Sequence, residues 1–211
     1  TIDLDAAGEL GIIIGNGALE ENFLGMAEAT VMFMMMLSYG VHRTERSLRD
    51  NLPRPPSDGM WARLMKRRTV GLIGFGRIAR SVVTLLAGFN MDILVHSPRT
   101  KAGDVPAGVR LVDLDTLLKS SDFVSVHVSL NAGSRGMIGE RELALMKPDA
   151  YLINTARGGL IDDDALIAAG ASAQFVEIPW ADHAFDAIPG GLSGQVSLWH
   201  TERFLDENLR R

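Results

Sequence analysis

The sequence predicts an α/β fold, a doubly wound parallel sheet entered through a long N-terminal helix. From Arg67 onward, apolar strand-like runs alternate with helical spacing, a pattern that lays strands in parallel with helices on both faces. One of these runs turns through two glycines straight into a helix, at Thr69-Val70-Gly71-Leu72-Ile73-Gly74-Phe75-Gly76-Arg77-Ile78-Ala79. The chain has 211 residues, 46% hydrophobic and 22% charged, enough to bury a sizeable core.

Composition excludes several classes. A net charge of −5 argues against an electrostatic nucleic-acid binder. There is no cysteine, so disulfides, thiolate metal sites and cysteine nucleophiles drop out together, and a cytoplasmic setting is expected. No metal site is expected. The longest apolar run, Ala27 to Leu37, contains Glu28 and is too short to span a bilayer, so no membrane partner is expected. No signal peptide is read at the start of the chain.

The elements follow in order. Gly11-Ile12-Ile13-Ile14 is strand-like and ends in the turn signal Gly15-Asn16-Gly17. Glu20 to about Leu48 reads as one helix, with Phe23, Met26, Val31, Met34, Met35 and Leu37 on a wide apolar face. Methionines 26, 32, 34, 35 and 36 read as core or interface filler. Apolar residues run almost all round this helix, which calls for a covering element and points to a homodimer. Asn51 to Asp58, with three prolines, is a linker. Strands are expected at 69–73, 91–96, 122–128, 149–154 and 173–178. Helices are expected at 77–87, 113–119, 140–146, 162–169 and 195–208.

The glycine turn is a dinucleotide fingerprint, G-x-G-x-x-A, and makes the fold Rossmann-type. Gly74 makes the tight turn, Gly76 leaves room for a pyrophosphate, and Ala79 lets the helix lie close on its strand. Gly74, Phe75, Gly76, Arg77 and Ile78 are therefore candidate cofactor contacts. An NAD binder holds its ribose with an acid at the tip of the second strand. Here Met91 to His96 runs into Ser97-Pro98-Arg99-Thr100, and Asp92 lies at the wrong end. Ser97, Arg99 and Thr100 suit a 2′-phosphate, so NADP is the expected cofactor, with NAD as the alternative. Charge-assisted bonds of about 1.5–3 kcal/mol each favour NADP by roughly tenfold to several hundredfold.

Three further stretches arrive in fixed order. They are Ser121-Asp122-Phe123-Val124-Ser125-Val126-His127-Val128-Ser129-Leu130, then Met146-Lys147-Pro148, then Tyr151-Leu152-Ile153-Asn154-Thr155-Ala156-Arg157-Gly158-Gly159-Leu160-Ile161-Asp162. With the fingerprint, the chain from about Ile2 to Ile167 closely resembles the D-2-hydroxyacid dehydrogenase family. The resemblance implies hydride transfer between NAD(P)H and a small 2-keto or 2-hydroxy acid. It implies a catalytic role for Arg157, which follows a buried strand and can grip a carboxylate bidentately. It implies cofactor contacts around His127 and Val128 and at Thr155 and Ala156. It also implies that the helix around Ala27-Glu28 contributes to a dimer interface. Residues 1–66 are then a remnant of the substrate domain with the interface helix and linker, and 67–211 the dinucleotide-binding domain.

The family carries a Glu and a His after the arginine, the His serving as general acid/base. Neither context is present here, and from about Ala168 the sequence changes character. The tail, through Phe175-Val176-Glu177-Ile178-Pro179-Trp180-Ala181-Asp182-His183, resembles the end of an α/β-hydrolase of the esterase type, whose triad histidine matches His183. No G-x-S-x-G elbow accompanies it; Ala132-Gly133-Ser134-Arg135-Gly136 is the nearest approach. The expected arrangement is a chimeric chain with a hydrolase-like strand and helix completing the sheet. His183 and His200 are the acid/base candidates. The alternatives to a dehydrogenase are a nucleotide-binding module without turnover and an esterase using His183.

Overall fold

The computed structural model describes residues 4–13, 20–53 and 62–169. Helix α1 (Leu4–Glu9) ends in a left-handed Gly11 (φ 67°). The Ile12 amide donates to Ala7 O at 2.8 Å and the Gly11 amide to Gly8 O at 3.2 Å, a Schellman closure. This corrects the strand read at Gly11 to Ile14. Gly11 stops a helix, and Ile12 and Ile13 are exposed and irregular.

Helix α2 (Glu20–Tyr39) opens on Glu20 and Glu21, whose charges suit a helix N-terminus. The single helix expected to Leu48 is broken at Gly40, whose backbone is left-handed (φ 60°, ψ 36°). Helix α3 (Val41–Arg49) leaves at 53° to α2. Among the described residues, no single helix is long and apolar enough to cross a membrane.

Five parallel strands follow: β1 (Thr69–Ile73), β2 (Asp92–His96), β3 (Val109–Leu111), β4 (Phe123–Val126) and β5 (Tyr151–Asn154), in the order β3-β2-β1-β4-β5. Four stand where the sequence put them, β1 over the same residues and the other three with ends trimmed by one to two residues. The expectations missed β3, whose three residues are too few to show a period. Between the strands lie α4 (Arg77–Leu86), α5 (Leu114–Ser120), α6 (Glu140–Leu145) and, after β5, α7 (Asp163–Ala168). Asp113 and Asp162 cap α5 and α7, accepting from the amides of Thr116 and Ala165. The strand at 173–178 and the helix at 195–208 lie outside the described residues.

Because side chains alternate along a strand, the sheet buries two separate apolar layers. Val70, Leu72, Ile93, Val95, Phe123 and Ile153 face α2 and α4, meeting Ala27, Val31, Met34, Ala79, Val82 and Leu86. Ile73, Leu94, Val124 and Val126 face the other way, meeting Leu117, Leu118, Ile138 and Leu160. Helix α5 lies so close on β1 that a Cβ at Gly71 would come within 2.4 Å of Leu117 Cδ2 and Ser121 Oγ.

The amino end of the sheet is tied by Asp122, which accepts from the Thr69 amide at 2.8 Å and from Lys147 Nζ at 3.1 Å. Burial alone would raise this carboxyl. The Thr69 amide and the cations of Lys147 and Arg68 outweigh burial and hold it below the usual carboxylate range. That end is structural, and the opposite end is where the chemistry collects.

Candidate cofactor and substrate site

Strand register aligns His96, Ile73, Val126 and Asn154 in one row across β2, β1, β4 and β5. The residues that follow them, Ser97, Gly74, His127 and Thr155, therefore open the carboxyl edge of the sheet together. The chain crosses to one side from β1 through β2 to β3, then returns to β4 on the other. The crevice between β1 and β4 is thus the switch point where ligands bind in open α/β sheets.

At that point the two glycines differ. Gly74 (φ 97°) donates to His96 O at 2.8 Å, and a Cβ on it would stand 2.5 Å from His127 O and 2.9 Å from Val128 Cγ1. Gly76 adopts an extended backbone (φ −80°, ψ −166°) that any residue tolerates, and a Cβ there would meet no atom within 4 Å. The protein itself has no need of a glycine at 76. The open space beside that backbone is the shape a pyrophosphate on a helix N-terminus would fit. Gly76 caps α4 without a side-chain bond, leaving the first-turn amides turned to that space.

The neighbours of the turn are held by aromatic rings. Phe75 is buried with the Arg80 guanidinium 4.3 Å from its ring centre, and Arg80 Nη1 donates to Asp104 O at 2.9 Å. Arg77 is exposed and lies 5.0 Å from the ring centre of Phe23 on α2. Ile78 is half-buried against the core. Phe23 was not among the residues expected here, since nothing local in sequence ties 23 to 77.

After β2, Ser97 and Thr100 form a tight turn. The Thr100 amide donates to Ser97 O at 3.0 Å and the Thr100 hydroxyl to Ser97 Oγ at 2.8 Å. Arg99 stands exposed at its tip with no partner among the described residues. Asp92 is the first residue of β2, at the far end.

His127 is half-buried, its Nε2 3.0 Å from the buried Ser125 hydroxyl. Burial pushes its pKa down to about 4, so the ring is neutral at pH 7. Its backbone, beside Gly74, faces the crevice.

After β5 the chain makes an Asx turn. Asn154 Oδ1 accepts from the Ala156 amide at 3.1 Å, and Asn154 Nδ2 donates to Arg157 O at 2.8 Å. Arg157 is exposed, and its Nη1 donates to Ala156 O at 2.7 Å. Arg157 precedes a single helical turn at Gly158–Leu160, and Asp162 caps α7. The Thr155 hydroxyl meets Thr30 of α2 at 3.1 Å. Sequence reasoning missed Asn154 and Thr30; an Asn closing a strand before Thr-Ala-Arg was the available signal for the first.

Ser134 is no free nucleophile. Its hydroxyl donates to Ser129 O at 2.7 Å and accepts from the Asn131 amide at 2.9 Å, pinning the loop between β4 and α6. His183 and His200 lie outside the described residues. Among the described residues no cluster of acidic or histidine side chains is placed to hold a metal ion.

Residues 31–177 match the family described as D-isomer specific 2-hydroxyacid dehydrogenase, NAD binding domain. A glyoxylate reductase of Thermococcus litoralis is 47% identical over 106 residues, covering 50% of this chain and 32% of its own. An (S)-sulfolactate dehydrogenase of Chromohalobacter salexigens is 37% identical over an alignment covering 100% of this chain and 69% of the relative. The NAD-complexed D-isomer specific 2-hydroxyacid dehydrogenase of Lactobacillus delbrueckii ssp. bulgaricus superposes with a TM-score of 0.71 at 32% identity, over 80% of this chain and 50% of that one. The chain spans about a third to a half of the length of most curated relatives it matches.

Proposed function

The chain belongs to the D-isomer specific 2-hydroxyacid dehydrogenase family, and from that membership we propose that it binds a nicotinamide dinucleotide, NADP with NAD as the alternative, and reduces a small 2-keto acid. The observation that carries the reading is Gly76, a glycine whose missing Cβ serves no packing need and opens onto the α4 N-terminus. Gly74, Phe75, Gly76, Arg77 and Ile78 would hold the pyrophosphate side of the cofactor. The backbone at His127 and Val128, with Thr155 and Ala156, would border its nicotinamide. When bound, the cofactor supplies the hydride for the carbonyl carbon.

Arg157 carries the substrate side. Held by the Asn154 turn at the sheet edge, its guanidinium can take the keto acid's carboxylate in a fork and polarise the adjoining carbonyl. The His127 side chain, half-buried toward the Ser125 hydroxyl with its pKa lowered by burial, is read as structural. The proton-donor role is assigned to His183 or His200.

The NADP preference rests on the tip of β2, where Ser97, Arg99 and Thr100 stand without an acid. The protein is read as a cytoplasmic homodimer. The subunit contact is assigned to the outer face of α2, where Met32, Met35 and Tyr39 are exposed along an apolar groove of 680 Å³. The segment from about residue 168 is proposed as hydrolase-like on its sequence pattern alone.

Assaying NADPH oxidation with glyoxylate or hydroxypyruvate tests the reading. Turnover is expected, with Arg157→Ala lowering kcat/KM by on the order of a hundredfold. Cofactor binding without turnover would reduce the protein to a nucleotide-binding module. Ester cleavage abolished by His183→Ala and indifferent to cofactor would replace the proposal with a hydrolase.

A further inference from the structure

Helix α2 buries Ala27, Thr30, Val31, Met34 and Ser38 against the rest of the molecule. Two of these are polar on a face that is otherwise apolar, and a buried hydroxyl costs stability unless it is bonded. Ser38 fastens the chain before the sheet, donating to Arg63 O. Thr30 is fully buried and reaches the turn that carries Arg157.

The direction of the bonds can be worked out. Thr30 Oγ1 donates its single proton to Met26 O at 2.8 Å, one turn back along the helix. It therefore has only lone pairs for Thr155, so the Thr155 hydroxyl donates across the 3.1 Å contact. Thr155 stands between Asn154, whose amide ties down Ala156 and Arg157, and Arg157 itself. The turn is thus anchored at two points, from its own strand by Asn154 and from α2 by Thr30.

We propose that Thr30 is a positioning residue for Arg157, fixing the substrate-gripping turn from helix α2 through the Thr155 hydroxyl. The role rests on the reading of Arg157 given above. It also gives α2 two duties on opposite faces, the apolar groove outward and the hold on the turn inward. A shift in the helix would reach the Arg157 turn through this hydrogen bond together with the packing of α2 on β5.

The test compares Thr30→Val, which keeps the shape and removes the acceptor, with Thr30→Ser, which keeps the acceptor, both in the full chain. Hydrogen–deuterium exchange reads the turn without calling on activity. In Thr30→Val, exchange across residues 154–158 should rise by about tenfold, the size expected for leaving a buried hydroxyl unpaired. Exchange in β1 and β4 should stay at the wild-type rate, and Thr30→Ser should restore the turn. No change in Thr30→Val, an equal rise in Thr30→Ser, or a rise throughout the sheet would each overturn the role.

Titrating oxamate into the NADPH-loaded protein reads the same point at the substrate. Thr30→Val should weaken oxamate by about tenfold with NADPH affinity held within about twofold. A parallel loss of both affinities would overturn positioning in favour of general packing. If the wild type takes up NADPH but not oxamate, the substrate reading of Arg157 fails, and the exchange result still decides whether Thr30 fixes the turn.

Discussion

Gly74 and Gly76 sit two residues apart in one motif and answer to different constraints. Gly74 is required by the protein: its φ of 97° and the His127 carbonyl behind it leave no place for a side chain. Gly74→Ala combines left-handed strain with overpacking, roughly 2–5 kcal/mol, and should lower the melting temperature by about 5–15 °C. Gly76→Ala should cost about 1 kcal/mol or less, the difference between these residues at a helix N-cap. Thermal denaturation of the two variants checks the contrast, and equal melting temperatures would contradict it. The glycine spacing was legible from sequence because turn chemistry is local. The division of labour was not, because it depends on His127, which lies 53 residues beyond Gly74 in the chain. Thr30 and Phe23 were illegible for the same reason. Both read as ordinary helix positions until folding brings them against Thr155 and Arg77.

Among the elements, the central strands were legible because they are buried on both faces and read as continuous β-branched runs. Short or glycine-punctuated pieces were not. Gly11 and Gly40 both take left-handed backbone that ends a helix, a role that resembles a strand boundary or a tolerated interior glycine when read in one dimension. The apolar excess on α2 was legible as a demand for cover, and the helix meets part of it internally, against α4 and β5. The exposed remainder, with Met32, Met35 and Tyr39, is the face assigned to a second copy. Sedimentation should give twice the 22.9 kDa chain mass. Met32→Glu with Met35→Glu should return the monomer, since burying two carboxylates at an apolar contact is prohibitive. A wild-type monomer at micromolar concentration would refute that assignment.

At the scale of the whole molecule, one sheet separates stability from chemistry. The amino edge is closed by Asp122 with Thr69, Arg68 and Lys147, while the carboxyl edge gathers the turns after β1, β2, β4 and β5. Parallel topology makes that gathering automatic, which is why the strand ends read from the sequence meet at one edge. The acid/base role proposed for His183 or His200 falls on residues outside the described ones. The carboxyl edge is proposed to hold a nicotinamide dinucleotide against Gly76. Fluorescence titration with NADPH and NADH, on the wild type and on Gly76→Ala, tests it directly. Saturable NADPH binding is expected at least about tenfold tighter than NADH, and a loss of at least about tenfold in Gly76→Ala with its fold intact. Absence of saturable binding by either cofactor, or unchanged affinity in Gly76→Ala, would contradict it.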